Sequence, residues 1–598
     1  MKQYVMGNGA IALGALSAGV RVVAGYPGTP SSEIIETVAK VPHEGMHLEW
    51  SVNEKAALEV AVAAAYSGAR AMVTMKQMGL NVASDPLMSV AYIGVKGGLV
   101  VVSADDPGPI SSQTEQDTRR FADFCRIPVF DPASPEEAFE MIQEAFAYSE
   151  KYATPVLFRP TTRVCHAYAA IEVPDRFEPG PCEGFVRDPG RWVIFPRLSH
   201  ANHGKLEARN VEISKDFSSF RFNTAEGPAS EKAVVASGVS YMYAKECLKG
   251  QDGVRLVRIA TAFPFPENFA LQALAGAKEV LCLEELSPYV EEQLLKLAGR
   301  HHLPLRVRGK LDGTVPHNGE LGVELCSGLL DRFLGLRTAL EQTDVSDAPP
   351  LPVRPPGLCA GCPHRASFSA VKQAMKGRKA VFCGDIGCYT LGNAMPLDMV
   401  DTCLCMGAGI TMAQGLAHTN PGTTCFAFAG DSTFFASGMT GVVNAVYNEA
   451  DVILCVLDNS TTAMTGHQPH PGTGRNMMGH VVEKIRIDKV LEGLGVKRIA
   501  TVDPLDLPES IRVVREFAEE KGVRAIIFKS PCIALEKPQG KCAVDASKCI
   551  GCKKCIREIG CPALAAAGGK VAIDRNLCTG CGLCGRVCPA GAIGGEKA

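Results

Sequence analysis

Eight cysteines near the end of the chain limit its fold and chemistry more than any other feature. They form two runs, each with three cysteines at C-x-x-C-x-x-C spacing and a fourth cysteine that precedes a proline. This doubled pattern is typical of a small module that binds two [4Fe-4S] clusters, because the fourth cysteine of each run ligates the other cluster. The chain is therefore predicted to carry single electrons. The eight positions are Cys549, Cys552, Cys555, Cys561, Cys578, Cys581, Cys584 and Cys588.

Zinc sites and disulfides are the alternatives for these cysteines. Zinc sites use C-x-x-C pairs with longer spacers, and disulfides need an oxidising compartment, so three thiols within seven positions favour iron–sulfur. Five residues separate Cys555 from Cys561 where three are usual, so that loop is expected to bulge, and the iron that Cys561 reaches stays open. The crossed assignment gives one cluster Cys549, Cys552, Cys555 and Cys588, and the other Cys578, Cys581, Cys584 and Cys561.

Length and composition narrow the class of protein. A chain of 598 residues is too long for one core and suggests about three to five domains. A net charge of -3 provides no positive electrostatic field that would attract a phosphate polymer, so no nucleic-acid partner is expected. No run is long enough for a membrane span, and Ala10 to Val23 is interpreted as a buried first helix. Twenty-four cysteines without an export signal predict a reducing cytoplasm.

Short β-branched runs alternate with helix-length amphipathic segments along most of the chain. This alternation predicts a multidomain α/β fold with parallel sheets. Proline-dense and weakly periodic stretches separate the segments. We predict an α/β domain over 1–170, an irregular connector over 171–230, a second α/β domain over 231–345, a Pro-rich linker over 346–357, a third α/β domain over 358–536, and a ferredoxin-like module over 540–598.

Polar residues follow two consecutive apolar runs in the third α/β domain. Gly430, Asp431 and Ser432 follow TCFAFA, and Asn459 follows DVILCVLD. Both are expected at the carboxyl edge of a parallel sheet, where the carboxylate, the amide oxygen and the Thr461 carbonyl suit Mg²⁺. The pattern resembles the thiamine diphosphate motif, except that a serine replaces its second glycine, so the turn must accept a Cβ. The alternative is an ordinary capped turn.

Two further features favour thiamine diphosphate. The segment CMGAGITMAQG contains Gly407 and Gly409 and is similar to the stretch that lines the aminopyrimidine ring in thiamine enzymes. Glu54 opens a long Ala-rich helix, where such enzymes place the glutamate that hydrogen-bonds the pyrimidine. The alternative is that Glu54 only complements the helix dipole, and Glu49 and Glu59 compete for the role.

Four more cysteines lie in the third domain, outside the ferredoxin-like module. A C-x-x-C pair and two distant thiols form a complete ligand set for a possible third [4Fe-4S] cluster. A small zinc site or buried free thiols are the alternatives. The four residues are Cys359, Cys362, Cys388 and Cys532.

Together these motifs resemble the 2-oxoacid:ferredoxin oxidoreductases over essentially the whole chain, apart from the connector. The resemblance implies two thiamine-binding-type domains, at 1–170 for the pyrimidine and 358–536 for the pyrophosphate and Mg²⁺, and a transketolase C-terminal-like domain at 231–345. It also implies a separate small (beta) subunit and a heterodimer or heterotetramer. The matching segments are GYPGTPSSE, LCAGCPHR, CGDIGCYTLG, GDS…DNS, SPCIA and TTAMTGHQPHPGTGRN, the last similar to large subunits that act on arylpyruvates.

The resemblance further implies the reaction. It is the oxidative decarboxylation of aryl 2-oxoacids of the indolepyruvate type to aryl-acetyl-CoA, with coenzyme A as acyl acceptor and ferredoxin as electron acceptor. Thr29 matches a position near the substrate carboxylate, although a threonine after a Pro-Gly turn is often structural. His467 and His470 are expected near the substrate or in a surface loop. The alternatives are a non-redox thiamine decarboxylase or carboligase with a structural cluster module, and a pure electron-transfer protein.

Overall fold

The computed structural model describes residues 1–41, 44–336, 345–352, 355–537 and 540–596. These residues form two compact units, Met1–Ala348 and Pro349–Ala598. The boundary falls inside the predicted Pro-rich linker, of which residues 353 and 354 lie outside the described residues, as do residues 337–344 of the predicted second domain. No helix of the described residues is both long enough and apolar enough to cross a membrane.

The first unit contains a six-stranded parallel sheet, as the alternation of apolar runs predicts. All six residues of its strand Leu99–Ala104 are buried, which is typical of a parallel strand covered by helices on both faces. In sheet order the strands are His47–Trp50, Val22–Gly25, Ala71–Lys76, Leu99–Ala104, Val156–Phe158 and Val129–Phe130. The helices of this part are Gly7–Ser17, Ser32–Lys40, Glu54–Tyr66, Gln77–Val82, Ser84–Ile93, Thr118–Cys125, Pro135–Tyr152 and Thr162–His166.

A second sheet in the same unit has four parallel strands and one antiparallel edge strand. In sheet order it comprises Arg306–Arg308, Glu279–Leu283, Lys232–Ser237, Arg255–Ile259 and the antiparallel Ala225–Glu226. Its helices are Val239–Cys247, Glu267–Ala273, Tyr289–Arg300 and Val323–Leu334. A separate antiparallel pair joins Lys2–Met6 to Tyr168–Glu172.

Two local predictions in this unit are wrong. The apolar stretch predicted as one buried first helix is a helix at Gly7–Ser17 followed by the strand Val22–Gly25, because Gly19 at φ 73° ends the helix. The connector predicted to be irregular contains the helices Pro189–Trp192 and Pro196–Phe217. The longer helix buries only four side chains, so its helical periodicity is hard to recognise in a mostly polar sequence. The four residues are Leu206, Asn210, Ile213 and Phe217.

The second unit contains a five-stranded, fully parallel sheet. In sheet order its strands are Ala380–Cys383, Thr424–Gly430, Val452–Asp458, Val523–Lys529 and Arg498–Val502, of which the last was not predicted. The helices around it are Pro363–Ala374, Ala408–Thr419, Asp431–Thr433, Met439–Tyr447, Ile487–Gly493 and Leu507–Glu519, with 3₁₀ turns at Cys388–Asn393 and Ala463–Thr465 and a π-helical turn at Phe434–Gly438.

The cysteine-rich end of the chain repeats one small pattern twice. The strand Lys541–Val544 pairs antiparallel with Ile593–Glu596, and Leu564–Ala567 pairs antiparallel with Lys570–Ile573. One short helix, Lys554–Ile559 or Leu583–Arg586, follows the C-x-x-C pair of each run. The internal duplication in the sequence therefore appears as two strand–helix–strand halves, whose strands pair with each other.

Candidate active site

Two parallel neighbouring strands bring the predicted magnesium ligands to one edge of the second unit's sheet. Gly430 ends its strand opposite Leu457 of the next strand, so Asp431 and Asn459 both follow at the carboxyl edge. Asp431, Asn459 and Thr461 are all buried. The structure thus places this predicted set together, at the edge where open α/β sheets bind ligands.

Backbone donors hold the Asp431 carboxylate in place. Its Oδ1 accepts a hydrogen bond from Ser432 N at 2.8 Å, and its Oδ2 accepts one from Ser460 N at 2.7 Å. Asn459 Oδ1 accepts from Thr461 N at 3.3 Å. The Oδ1 atom of Asp431 keeps a lone pair for a cation. Ser432 lies in the helix Asp431–Thr433 without a positive φ, so its Cβ is accepted without strain.

Of the two histidines in the following loop, only His470 contacts the metal motif. Its Nε2 lies 3.1 Å from Asp431 Oδ2, and the ring is buried. Gly472 N donates to His470 Nδ1 at 3.2 Å, which assigns the proton of the neutral ring to Nε2. His467 is exposed and has a φ of 67°. His470 therefore faces the predicted site from the side of the loop, whereas His467 faces solvent.

A buried histidine that sequence reasoning missed also faces this site. Both ring nitrogens of His364 are buried without a hydrogen-bond partner among the described residues. Burial lowers the pKa of His364 to about 4, while the nearby Asp431 charge opposes that shift. An unmet buried donor costs about 1–3 kcal/mol. Such a neutral ring beside Asp431 fits an anionic ligand that accepts a hydrogen bond from its N–H group, as a diphosphate would.

The glycines of the CMGAG segment are required by close packing. Gly407 has a φ of 87°, and a side chain there would overlap Ser437. Gly407 N donates to both Asp385 carboxylate oxygens, at 2.9 and 2.8 Å. A Cβ on Gly409 would lie 2.6 Å from the Gly384 carbonyl oxygen. The segment is therefore a tight turn through which backbone can approach a flat ring.

Asp385 is a second functional candidate that sequence reasoning missed. Its motif, CGDIGC, was considered only for Cys388, yet the Asp385 carboxylate is fully buried and anchors the Gly407 turn. Burial raises the pKa of Asp385 to about 7, and hydrogen bonds from the Gly407, Ile386 and Gly409 amides oppose the rise. The available sequence signal for Asp385 was its position in this motif, between the glycines that adjoin the two cysteines.

In the first unit, Glu54 is the first residue of its helix, as predicted. Asn53 caps this helix by accepting a hydrogen bond from Ala56 N at 2.9 Å. The Glu54 carboxyl packs on Gly79, where an added Cβ would lie 2.6 Å from Glu54 Oε1. Burial raises the pKa of Glu54 to about 7, while its own backbone amide and Lys76 oppose the rise. A carboxyl group poised near neutral pH suits proton exchange.

The competing glutamates and Thr29 have other surroundings. Glu49 accepts hydrogen bonds from Ser51 Oγ at 2.6 Å and lies 2.7 Å from His47 Nε2. Glu59 forms an exposed ion pair with Lys55 on the helix surface. Thr29 lies in the loop before the helix Ser32–Lys40, and its carbonyl accepts a hydrogen bond from Ser111 Oγ at 3.1 Å. Glu49 and Glu59 thus interact with other polar side chains, whereas the Glu54 carboxyl packs on Gly79.

The eight C-terminal cysteines surround two separate cavities, of about 420 Å³ and about 310 Å³. No three His, Cys, Asp or Glu side chains of the described residues are placed to bind a single metal ion, as a zinc site would require. Each set of four contains three thiols of one run and the last thiol of the other, which matches the crossed assignment. The larger cavity is lined by Cys561, Cys578, Cys581 and Cys584, and the smaller by Cys549, Cys552, Cys555 and Cys588.

The third cysteine set is also brought together. Burial raises the pKa of the Cys388 thiol to about 11, and the neighbouring Cys532 and Cys359 thiols add to the rise. Cys362 lines the larger cavity of the C-terminal module. Arg365 connects the two parts by donating to the carbonyls of Ile559 and Gly560, both at 2.8 Å. Through Cys362, the set therefore reaches the wall of the larger cavity.

A ninth cysteine, Cys542, also lines the larger cavity, and its amide donates to Cys578 Sγ at 3.3 Å. Because a four-iron cluster takes four thiolates, we predict that Cys542→Ser keeps about twelve irons per chain, whereas Cys561→Ser keeps about eight. Iron and sulfide analysis of anoxically purified protein measures both. The reverse pattern would make Cys542 the fourth ligand, and about eight irons in the unsubstituted chain would remove the third cluster.

Three family models match the chain. A model described as pyruvate flavodoxin/ferredoxin oxidoreductase, thiamine diP-binding, matches residues 13–180. A model described as thiamine pyrophosphate enzyme, C-terminal TPP binding domain, matches residues 385–528. A 4Fe-4S binding domain matches residues 571–594. These segments include Glu54, the metal motif and the second cysteine run.

The chain is also similar to named relatives along nearly its whole length. It is 41% identical to indolepyruvate oxidoreductase subunit IorA of Methanothermobacter thermautotrophicus, over 99% of this chain and 97% of that relative. It is 39% identical to the IorA subunit of Pyrococcus horikoshii, over 94% of this chain and 91% of that relative. A solved 2-oxoglutarate:ferredoxin oxidoreductase from Magnetococcus marinus aligns with a TM-score of 0.45 at 17% identity, over 56% of this chain and 65% of that one.

Proposed function

The chain belongs to the family of indolepyruvate oxidoreductase subunits IorA, and we propose that it oxidatively decarboxylates arylpyruvates of the indolepyruvate type to aryl-acetyl-CoA, with ferredoxin as the electron acceptor. It is an oxidoreductase that uses thiamine diphosphate and iron–sulfur clusters. The observation that supports the proposal most strongly is that the sheet edge carrying Asp431 and the three sets of cysteines lie in the same compact unit. A non-redox decarboxylase would have no use for that arrangement.

The residues at the sheet edge fit the diphosphate end of the cofactor. Asp431, Asn459 and the Thr461 carbonyl would hold Mg²⁺ through hard oxygen ligands. His364, whose buried nitrogens lack partners, would donate a hydrogen bond to a phosphate oxygen. Gly407 and Gly409 would let backbone approach the pyrimidine ring closely. Bound thiamine diphosphate supplies the carbon nucleophile and the electron sink for a 2-oxoacid.

Glu54 would hold and return a proton at the pyrimidine ring. Its pKa near 7 keeps both protonation states available at neutral pH, so the carboxyl can share a proton with a ring nitrogen. We assign Thr29 to the neighbourhood of the substrate carboxylate. Both residues belong to the first unit, where the family model for the thiamine-binding domain matches.

The cysteine sets would define an electron path. The cluster held by Cys359, Cys362, Cys388 and Cys532 would accept the first electron. The larger cavity, which Cys362 also lines, would hold the next cluster, and the smaller cavity would hold the last cluster. Because a 2-oxoacid yields two electrons and each cluster accepts one, a chain of clusters suits this reaction.

The assembly follows from the names of the relatives, which are subunits. We propose that a small (beta) subunit completes the enzyme as a heterodimer or heterotetramer, that coenzyme A takes the acyl group, and that the complex works in the cytoplasm. No nucleic acid enters this scheme. The relatives match this chain over more than nine-tenths of their own length.

The test is anoxic turnover of the complex of this chain with its co-expressed small subunit. Indolepyruvate and coenzyme A are supplied with ferredoxin, and both ferredoxin reduction and the acyl-CoA product are measured; phenylpyruvate and pyruvate are compared. We expect reduction only with an arylpyruvate and coenzyme A present together. Release of aryl-acetaldehyde with ferredoxin left oxidised would support the non-redox alternative.

A further inference from the structure

Lys76 is a lysine of the first unit that lies beside Glu54 and that the reaction scheme above does not use. It ends the strand Ala71–Lys76. Its side-chain stem packs on Gly28, where an added Cβ would lie 3.0 Å from Lys76 Cγ and 3.1 Å from Cδ. Its ammonium group donates to the Ser111 carbonyl at 3.1 Å. The stem is therefore fixed by packing on the loop that contains Thr29.

Ser111 connects the lysine to the Thr29 loop and to Asp106. The Ser111 hydroxyl donates to the Thr29 carbonyl at 3.1 Å, and the Ser111 amide donates to Asp106 Oδ2 at 2.9 Å. Asp106 Oδ1 accepts a further hydrogen bond from Thr162 Oγ1 at 2.7 Å. These hydrogen bonds outweigh burial and lower the pKa of Asp106. Asp106 is thus kept charged by neutral donors without a direct ion pair to Lys76.

Lys76 differs from the fully buried arginines of the same unit. Arg119 pairs with Asp117 at 2.7 Å and with Glu284 at 2.9 Å, and Arg159 pairs with Asp105 at 2.7 Å. Within the described residues, Lys76 has no carboxylate within ion-pair distance. Burial lowers the pKa of Lys76, while the charges of Asp106 and Glu54 oppose that shift.

We propose that the Lys76 ammonium group binds the carboxylate of the 2-oxoacid substrate. This inference rests on the proposed function, since the substrate then carries a carboxylate next to the reacting carbonyl. An ammonium group has three donors, and the Ser111 carbonyl occupies one. Asp106 and Glu54 favour the charged form of this partly buried lysine against the effect of burial, and a bound carboxylate would supply the missing direct partner. Lys76 is then a substrate-binding residue and not a proton-transfer group.

The test compares Lys76→Met and Lys76→Arg in the holoenzyme complex with a control, Lys278→Met, whose exposed lysine pairs with Glu231. The probes are indole-3-lactate, which has the carboxylate but cannot react, and its neutral amide. We expect Lys76→Met to weaken lactate binding by titration calorimetry, and to raise the KM for indolepyruvate, by about 10- to 100-fold. Amide binding should stay within about twofold, and Lys76→Arg should retain most of the lactate affinity.

Unchanged lactate affinity in Lys76→Met, with a kcat–pH profile shifted to higher pH, would overturn the proposal, because Lys76 would then act only on the pKa of Glu54. Equal weakening of lactate and amide would overturn it as well, since a general distortion of the pocket would explain the loss. If the unsubstituted complex turns over no arylpyruvate but lactate binding still depends on Lys76, the proposed function fails and the anion site stands.

Discussion

Replacing Glu54 with glutamine is expected to lower the rate of arylpyruvate-dependent ferredoxin reduction by on the order of 10²- to 10⁴-fold, while the cluster absorbance is unchanged. Glutamine keeps the shape of the side chain but cannot exchange a proton with the pyrimidine. Stopped-flow reduction of the clusters by indolepyruvate measures the loss before ferredoxin is involved. Glu59→Gln is the matched control, because Glu59 lies on the exposed face of the same helix.

The same substitution is expected to stabilise the apoprotein at alkaline pH. The folded-state pKa of Glu54, about 7, lies above the ordinary glutamate value of 4.5, so the folded state is most stable below pH 4.5 and loses this stability as pH rises through about 7. At pH 8.5 the buried charge costs up to about 3 kcal/mol, which glutamine removes. Thermal unfolding should therefore show Glu54→Gln above the unsubstituted protein at pH 8.5, with a smaller gap at pH 5.5.

Two outcomes would contradict this account of Glu54. Full turnover in the glutamine variant would remove Glu54 from the chemistry. A stability gap that is the same at both pH values would show that Glu54 is not a buried carboxylate with a raised pKa. Because turnover and unfolding are independent measurements, the catalytic and electrostatic parts of the assignment are tested separately.

The sequence predicted the features that depend on local order along the chain. The strands that end at Gly430 and Asp458 were predicted from their apolar runs, and parallel pairing then brings Asp431 and Asn459 to one edge. Glu54 was predicted at a helix start, and the Asn53 cap explains why the helix begins there. The crossed cysteine sets were predicted from spacing with the iron that Cys561 reaches left open, and the two cavities match the crossed sets.

Features that depend on packing between distant segments could not be predicted in this way. The burial of both His364 nitrogens arises from neighbours such as Tyr389, whose ring stacks edge-on at 5.7 Å. Asp385 becomes an anchor only when the turn at Gly407 folds over it. The helix Pro196–Phe217 docks through partners far along the chain, including the Arg126–Glu207 ion pair at 2.6 Å. None of these partners lies within a sequence window around the residue concerned.

Substitution of Asp431 is expected to have the other large effect, on cofactor binding. Asp431→Asn keeps one acceptor oxygen, for Ser460 N, but replaces the other with an NH2 group that cannot accept from Ser432 N, and it removes the negative charge that attracts Mg²⁺. We expect the affinity for thiamine diphosphate with Mg²⁺ to fall by on the order of 100-fold or more, because even residues that only support metal ligands contribute 10- to 100-fold. Titration calorimetry on the cofactor-free complex measures it, and the iron content should be unchanged.

The Asp431→Ala variant distinguishes the role of Asp431 in metal binding from its contribution to folding stability. Alanine leaves both the Ser432 and the Ser460 amide without an acceptor, whereas asparagine leaves one, so alanine should cost about 1–3 kcal/mol of stability for each amide and asparagine should cost less. Asp488→Ala, at an exposed ion pair with Arg486, is the control. Asparagine with full affinity would place the metal elsewhere. Loss of affinity in both variants, with the larger loss of stability in alanine, would assign the Asp431 charge to the cation and its hydrogen bonds to the sheet edge.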